Sequence, residues 1–189
     1  MSTLSASESE AVIRVTRDWL EKAVIGLNLC PFARAVHQRG QIRYAVSDAR
    51  TEAALLDDLR AELQILCAAS SEQVDTTLLI HPHVLQDFAA YNNFLDAADG
   101  ALAEARLVGE IQLASFHPDY VFAGTAPDDI TNCTNRSPYP ILHLLREASI
   151  ERAVRAYPDA AEIYETNIAT MKRLGHEGWA RFELKKPEA

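Results

Sequence analysis

The chain has 189 residues, of which 48% are hydrophobic and 24% charged, and its formal net charge is −9 at pH 7. A chain of this length can bury a core without disulfides or metals. Its acidic balance argues against binding to nucleic acid, which requires a basic face. No apolar run approaches the roughly 20 residues that span a bilayer, so we expect no membrane partner.

The cysteines and the N-terminus indicate the compartment. The three cysteines, Cys30, Cys67 and Cys133, are an odd number and lie far apart, unlike a disulfide framework. The opening residues M-S-T-L-S-A-S-E-S-E lack the basic flank and apolar core of a signal peptide. We therefore expect a cytoplasmic protein.

The first third of the chain predicts two helices followed by a strand. Ser7 and Glu10 have the spacing of a capping box, and apolar residues follow them at helical intervals. Pro31 suits the first turn of a second, short helix. Residues 42–46 alternate enough to predict a strand.

The middle of the chain predicts two units in which a helix leads into a strand. Leucines at helical spacing predict a helix over residues 51–67, and a β-branched run predicts a strand over 76–80. A second helix is predicted over 84–106 and a second strand over 110–116. The dipeptide His-Pro stops both strands.

A long loop and two helices are predicted after the last strand. Ser137 has the position of an N-cap for a helix over residues 138–156, which Tyr157-Pro158 would end. A final helix is predicted over 159–174, with Gly175 as the residue that ends it.

These elements predict an α/β fold. Strands linked by helices of crossover length favour a small, mainly parallel sheet of three to four strands with βαβ crossovers. Helices would cover this sheet, with further helices at the N- and C-termini, in one domain over residues 1–189. The polar ends, residues 1–8 and 183–189, are candidates for disorder.

Histidines follow two of the predicted strands. His81 and His117 would lie at the same edge of a parallel sheet, where α/β proteins bind ligands. With His83 they could supply three nitrogens to a divalent metal, the fourth ligand being Cys133 or Asp119. No Cys-x-x-Cys or His-Glu-x-x-His spacing supports this, and each His-Pro can equally end a strand with its imidazole bonded to a carbonyl.

Two cysteines are candidate nucleophiles. Cys133 and Cys30 each precede a predicted helix start, where the helix dipole stabilises a thiolate. His117 would serve as the acid or base beside Cys133. The alternative is that these cysteines are small buried hydrophobic residues, which is the interpretation we adopt for Cys67.

The region before the predicted helix 138–156 has the composition of an anion site. Arg136 and Ser137 would bind a carboxylate or phosphate at the helix N-terminus, with the amides of Asn132 and Asn135 as further donors. Alternatively, Arg136 pairs with an aspartate of the loop, at position 128 or 129.

His143 would lie nearly two turns into that helix. It can face either the anion site or the core, and a lone helical histidine more often faces the core.

Three motifs resemble those of a bacterial family of unknown function, DUF1415. They are G-L-N-L-C-P-F-A from Gly26, F-H-P-x-Y from Phe116 and N-R-S-P-x-P-x-x-H-x-L-R-E from Asn135. The resemblance covers most of the chain and implies a stand-alone cytosolic protein, but no activity. Its motif positions include Asn28, Cys30, His117, Asn135, Arg136 and His143.

Two hypotheses of function follow. The first is an enzyme that acts on a small anionic substrate, with Arg136 and Asn28 among the ligand contacts and His117 and a cysteine in the chemistry. The second is a non-catalytic protein that binds a metabolite or a metal in the same pocket. The sequence leaves open the reaction, the oligomeric state and any cofactor other than the divalent metal considered above.

Overall fold

The structure is a computed structural model that describes residues 4–156 and 162–182. Helix α1 spans Ala6–Trp19, and its N-cap is Ser5. The Ser5 side chain accepts from the Glu8 amide, while the Glu8 carboxylate accepts from the Ser5 amide. The capping box therefore lies two residues before the predicted pair. Residues 4–8, a candidate for disorder, are mostly helical, whereas 1–3 and 183–189 lie outside the described residues.

The helix changes from α- to π-type after α1. A π-helical segment, Leu20–Ile25, leads into Gly26, where the Lys22 carbonyl oxygen occupies the place that a Cβ would take. Asn28 then adopts a left-handed conformation with φ of 56°. A short helix α2, Ala33–Gln38, follows two residues after Pro31, in agreement with the predicted short helix.

Three strands lie where the sequence predicts them. Strand β1 is Ile42–Val46, β2 is Thr76–Ile80 and β3 is Ile111–Phe116. Helix α3, Glu52–Ala68, joins β1 to β2, which pair in parallel and so form a βαβ unit. Helix α4, Phe88–Glu104, joins β2 to β3.

A fourth strand corrects two predictions. Strand β4, Ile141–Arg146, lies between β2 and β3 and is antiparallel to both, so the sheet order is β1-β2-β4-β3. The prediction of a mainly parallel sheet is therefore confirmed only in part: β1 and β2 pair in parallel, and the other two strand pairs are antiparallel. The helix predicted over 138–156 begins only at α5, Glu147–Ala156.

The reason for this error is visible in the composition of β4. Its sequence I-L-H-L-L-R is buried or half-buried throughout, because β4 is a central strand and the side chains on both of its faces lie in the interior. A short continuous apolar run does not distinguish a strand from a buried helix by periodicity.

Hydrophobic cores lie on both faces of the sheet. Helices α3 and α4 pack on one face, and α1 with the π-helical segment packs on the other. The largest members of the first core are Leu55, Leu59, Leu63, Leu66, Leu79, Tyr91, Phe94, Leu142 and Leu144. The second core contains Val12, Trp19, Leu20, Val24, Leu78, Ile80 and Ile141.

The last helix packs against the long loop between β3 and β4. Helix α6, Ile163–Ala180, is interrupted at Gly175, whose φ of 66° is non-helical and separates two helical segments. This agrees with the prediction that Gly175 ends the first of them. Helix α6 contacts a 3₁₀ helix in the loop, Ile130–Asn135. The predicted start of this helix, at residue 159, lies outside the described residues. In the described part of the chain no helix has the length and hydropathy to cross a bilayer.

Candidate functional site

The two strand-end histidines lie together, as predicted from the strand directions. Strands β2 and β3 point the same way because each is antiparallel to β4 between them. The ring of Tyr91 on α4 lies 5.7 Å from the ring of His81 and 5.1 Å from that of His117. Both histidines are completely buried. This edge of the sheet is therefore packed around the two imidazoles.

The ring nitrogens of this pair serve the fold. His117 donates from Nε2 to the Leu85 carbonyl and accepts at Nδ1 from the Asp119 amide, at 3.1 and 3.0 Å. His81 donates from Nδ1 to the Val84 carbonyl, whereas its buried Nε2 has no partner within the described ranges. Burial, with a contribution from neighbouring His117, lowers the pKa of His81 to about 4.

The predicted metal site is not assembled. Both nitrogens of His117 are engaged with backbone groups, and His83 is exposed while His81 is buried. Across residues 4–156 and 162–182, no three His, Cys, Asp or Glu side chains are placed to share a metal ion. The alternative, in which a His-Pro ends a strand and the imidazole bonds a carbonyl, describes both histidines.

Arg136 holds the long loop, and no helix begins beside it. Its guanidinium donates from Nε to the Tyr120 carbonyl and from Nη2 to the Pro127 carbonyl, at 3.3 and 2.6 Å. The Ser137 hydroxyl donates to the Tyr139 carbonyl, and the next element is strand β4. The predicted anion site therefore lacks the helix N-terminus on which the prediction relied, because a strand begins there instead.

The predicted amide ligands also bond within the fold. Asn132 is completely buried, and its side chain bonds Phe122, Thr125 and Ala126. The Asn135 amide donates to the Ser115 carbonyl. Asn28, the other predicted ligand contact, is an exposed residue whose left-handed backbone conformation suits asparagine.

The three thiols lie in different environments. Cys133 is 1% exposed and packs with Leu29 and Met171, and burial raises the pKa of its thiol despite the nearby Arg136. Burial also raises the pKa of the Cys30 thiol, which is half-buried. Cys67 is exposed, contrary to the prediction that it is buried. The pKa directions do not support thiolates at the two predicted nucleophiles.

Alkylation by iodoacetamide should follow exposure. We expect Cys67 to be modified first in the folded protein, Cys30 more slowly, and Cys133 only after unfolding, because access and thiolate fraction together set the rate. Peptide mapping by mass spectrometry at successive times measures the order. Rapid modification of Cys133 in the folded chain would restore it as a candidate nucleophile.

A cavity of about 610 Å³ lies on the sheet face that α1 covers, between helices α2 and α5. Neither α2 nor α5 has a fully buried residue, and side chains of both helices line this space, so they form two of its walls. The apolar lining comes from four sources: α1 with the π-helical segment, the region around α2, the sheet and α5. It includes Trp19, Leu20, Val24, Cys30, Phe32, Val36, Ile42, Leu78, Ala114, Phe116, Leu145, Ile150 and Ala153.

The polar group at the floor of this cavity is His143. Its Nε2 lies 2.7 Å from the hydroxyl of Thr76, across the β2–β4 pair, and its ring lies 6.0 Å from that of Phe116. Burial lowers the pKa of His143 to about 4. The imidazole is therefore neutral near pH 7 and can exchange hydrogen bonds with a ligand without carrying charge.

Charged and polar side chains line the rim. Arg39 donates from Nε to the Gln41 amide oxygen, and Arg152 donates to the Ser149 hydroxyl. Ser149 in turn donates to the carboxylate of buried Asp75. The two guanidiniums are exposed and retain further N–H groups for a ligand.

A model of the protein family of unknown function DUF1415 matches residues 11–181. The chain belongs to DUF1415. No curated protein and no solved structure matches it.

Two of the predicted site residues of this DUF1415 protein line the cavity, namely Cys30 and His143. The others lie at the buried histidine edge, in the long loop or on the surface. The sequence reasoning missed Thr76, Arg39 and Arg152. Thr76 begins a correctly predicted strand, but its position opposite His143 depends on recognising β4 as a strand.

Proposed function

We propose that this protein binds a small molecule with a largely apolar body in the cavity between α2 and α5. The observation that carries the proposal is a neutral, half-buried imidazole at the floor of a mainly apolar space of about 610 Å³. This volume lies in the usual range for ligand sites, which combine an apolar lining with a few polar groups.

The rim favours an anionic group on the outer end of the ligand. The guanidiniums of Arg39 and Arg152 can bind a carboxylate or phosphate there, while the rings of Trp19 and Phe116 contact its apolar part. The proposed ligand is thus still anionic, but its anionic group binds at Arg39 and Arg152 instead of at Arg136.

The proposed function is binding. The enzyme hypothesis placed its base on His117 and its anion contact on Arg136. Both ring nitrogens of His117 and two of the three guanidinium nitrogens of Arg136 bond the backbone. We also propose that the protein acts in the cytoplasm, since its three cysteines are free.

Filling the cavity should remove binding of an apolar probe. We expect 1-anilinonaphthalene-8-sulfonate, which joins aromatic rings to an anionic group, to bind the wild type saturably at one site. Ala114→Trp should weaken this binding by more than about tenfold, because the indole occupies space lined by β3 and helix α5. Fluorescence titration measures both affinities.

The matched control is Gln112→Trp. Gln112 lies two residues earlier on the same face of β3, but is exposed and outside the cavity lining. This variant should bind the probe like the wild type, with circular dichroism confirming that both variants fold. Equal probe binding by Ala114→Trp and the wild type would contradict the proposal, as would the absence of saturable binding in the wild type.

A further inference from the structure

The hydrogen-bond geometry at the cavity floor determines which ring nitrogen of His143 carries the proton. The Thr76 hydroxyl oxygen lies 2.6 Å from the Leu144 carbonyl oxygen and 2.7 Å from His143 Nε2. Two oxygens at 2.6 Å need a hydrogen between them, and a carbonyl has none to give. The single hydroxyl hydrogen of Thr76 therefore points to Leu144.

The same count of hydrogens assigns the donor in the bond between Thr76 and His143. Because the Thr76 hydrogen is already used, the contact between Thr76 and His143 needs a hydrogen from the imidazole, so Nε2 carries it and donates. A neutral imidazole has one N–H, and Nδ1 is then the atom with a lone pair.

His143 Nδ1 is available to a ligand. It has no hydrogen-bond partner in the part of the chain that the structure describes, and it is not among the buried atoms sealed from solvent. His143 lines the cavity together with Phe116 and Leu78. Nδ1 of His143 thus offers a hydrogen-bond acceptor beside apolar side chains at the floor of the cavity.

We propose that the ligand presents a hydrogen-bond donor, a hydroxyl or an N–H group, to Nδ1 of His143. This inference rests on the proposed binding in the cavity and adds the polarity of the ligand's inner end. A carboxylate or an ether at that position would place a second lone pair against Nδ1 and leave both groups without a hydrogen. The ligand is therefore oriented, with its donor inward and its anionic end toward Arg39 and Arg152.

Two naphthalenes of similar shape test the inference. 2-Naphthol carries a donor where 2-methoxynaphthalene has only an acceptor. For each protein we compare the affinity for 2-naphthol with that for 2-methoxynaphthalene. We expect this ratio of affinities to be about three- to tenfold larger in the wild type than in His143→Leu. Isothermal titration calorimetry measures all four affinities, and the quotient of the two ratios removes the difference in hydrophobicity between the probes.

A second pair of variants tests the role of Thr76. Thr76→Val keeps the side-chain shape but frees the imidazole to place its hydrogen on either nitrogen, so the preference for 2-naphthol should decrease. Thr77→Val is the matched control, because Thr77 is fully buried and, as the next residue of β2, lies on the opposite face of the sheet. It should leave the preference unchanged.

The outcomes separate the inference from the binding proposal. If both naphthalenes bind but their ratio is the same in the wild type and His143→Leu, the donor inference is wrong and cavity binding survives. If neither binds the wild type, the cavity proposal fails, and the donor inference fails with it. Imidazole ¹⁵N chemical shifts of the ligand-free protein give an independent readout. A proton on Nδ1 of His143, instead of on Nε2, would overturn the inference.

Discussion

Acidification from about pH 7 to about pH 4.5 should lower the free energy of unfolding by roughly 2 kcal/mol more in the wild type than in His81→Phe. The folded chain keeps His81 neutral, since burial lowers its pKa to about 4. The unfolded chain takes up a proton there below about pH 6.5. The unfolded state thus binds more protons, and stability is lost as the pH falls from 6.5 toward 4.

Burial outweighs the backbone hydrogen bonds, such as that to the Val84 carbonyl, that would favour the charged form of His81. The groups facing the ring are Tyr91, whose pKa burial raises, and His117, while Nε2 has no partner among the described residues. Phenylalanine preserves the stacking on Tyr91. The bond from Nδ1 to Val84 is lost at both pH values, so it cancels from the difference.

Urea titrations at the two pH values measure the effect. His83→Phe is the matched control, because His83 lies two residues away and is exposed. His143 is also held neutral by burial, so the His81→Phe variant should keep part of its acid sensitivity. An identical loss of stability in the wild type and His81→Phe would show that His81 is protonated in the folded protein.

Replacing Arg146 by methionine should lower the free energy of unfolding by roughly 3 kcal/mol. Its guanidinium donates to the carbonyls of Leu66, Ala69 and Val74, at 2.5 to 3.2 Å. These carbonyls belong to the end of α3 and the loop before β2, where helix carbonyls lack partners of their own. Methionine keeps the apolar stem but leaves several part-buried acceptors without a donor.

Chemical denaturation at neutral pH compares this variant with Arg155→Met. Arg155 is exposed on α5, and its bonds within the described ranges are to Glu151, one turn earlier on the same helix, so its loss should cost less than about 0.5 kcal/mol. Similar stabilities of the two variants would mean that the carbonyls at the end of α3 do not depend on Arg146.

The sequence predicted those elements whose pattern is local. Strand β2 is bounded by a polar loop and by His-Pro, and α3 carries leucines at helical spacing, so tertiary contacts were not needed to recognise either. Strand β4 gives no such signal, because a central strand has apolar residues on both faces. Its direction and position depend on contacts with β2 and β3 that periodicity does not encode.

The site was predictable only in part for the same reason. The position of His81 and His117 at one end of the sheet follows from strand directions, which survive the insertion of β4. The use of Arg136 and Asn132 to hold carbonyls of the loop depends on how that loop folds back. The cavity forms from α2 and α5, which are distant in sequence, so no local motif indicates it.

The central claim is that a small apolar molecule binds between α2 and α5. Intermolecular nuclear Overhauser effects, measured on methyl-labelled protein with 1-anilinonaphthalene-8-sulfonate, test it most directly. We predict contacts from the probe's rings to the methyl groups of Val36, Ala114 and Ile150, which line the cavity. Contacts instead to Val108, which is 74% exposed and lies outside the cavity, would contradict the account.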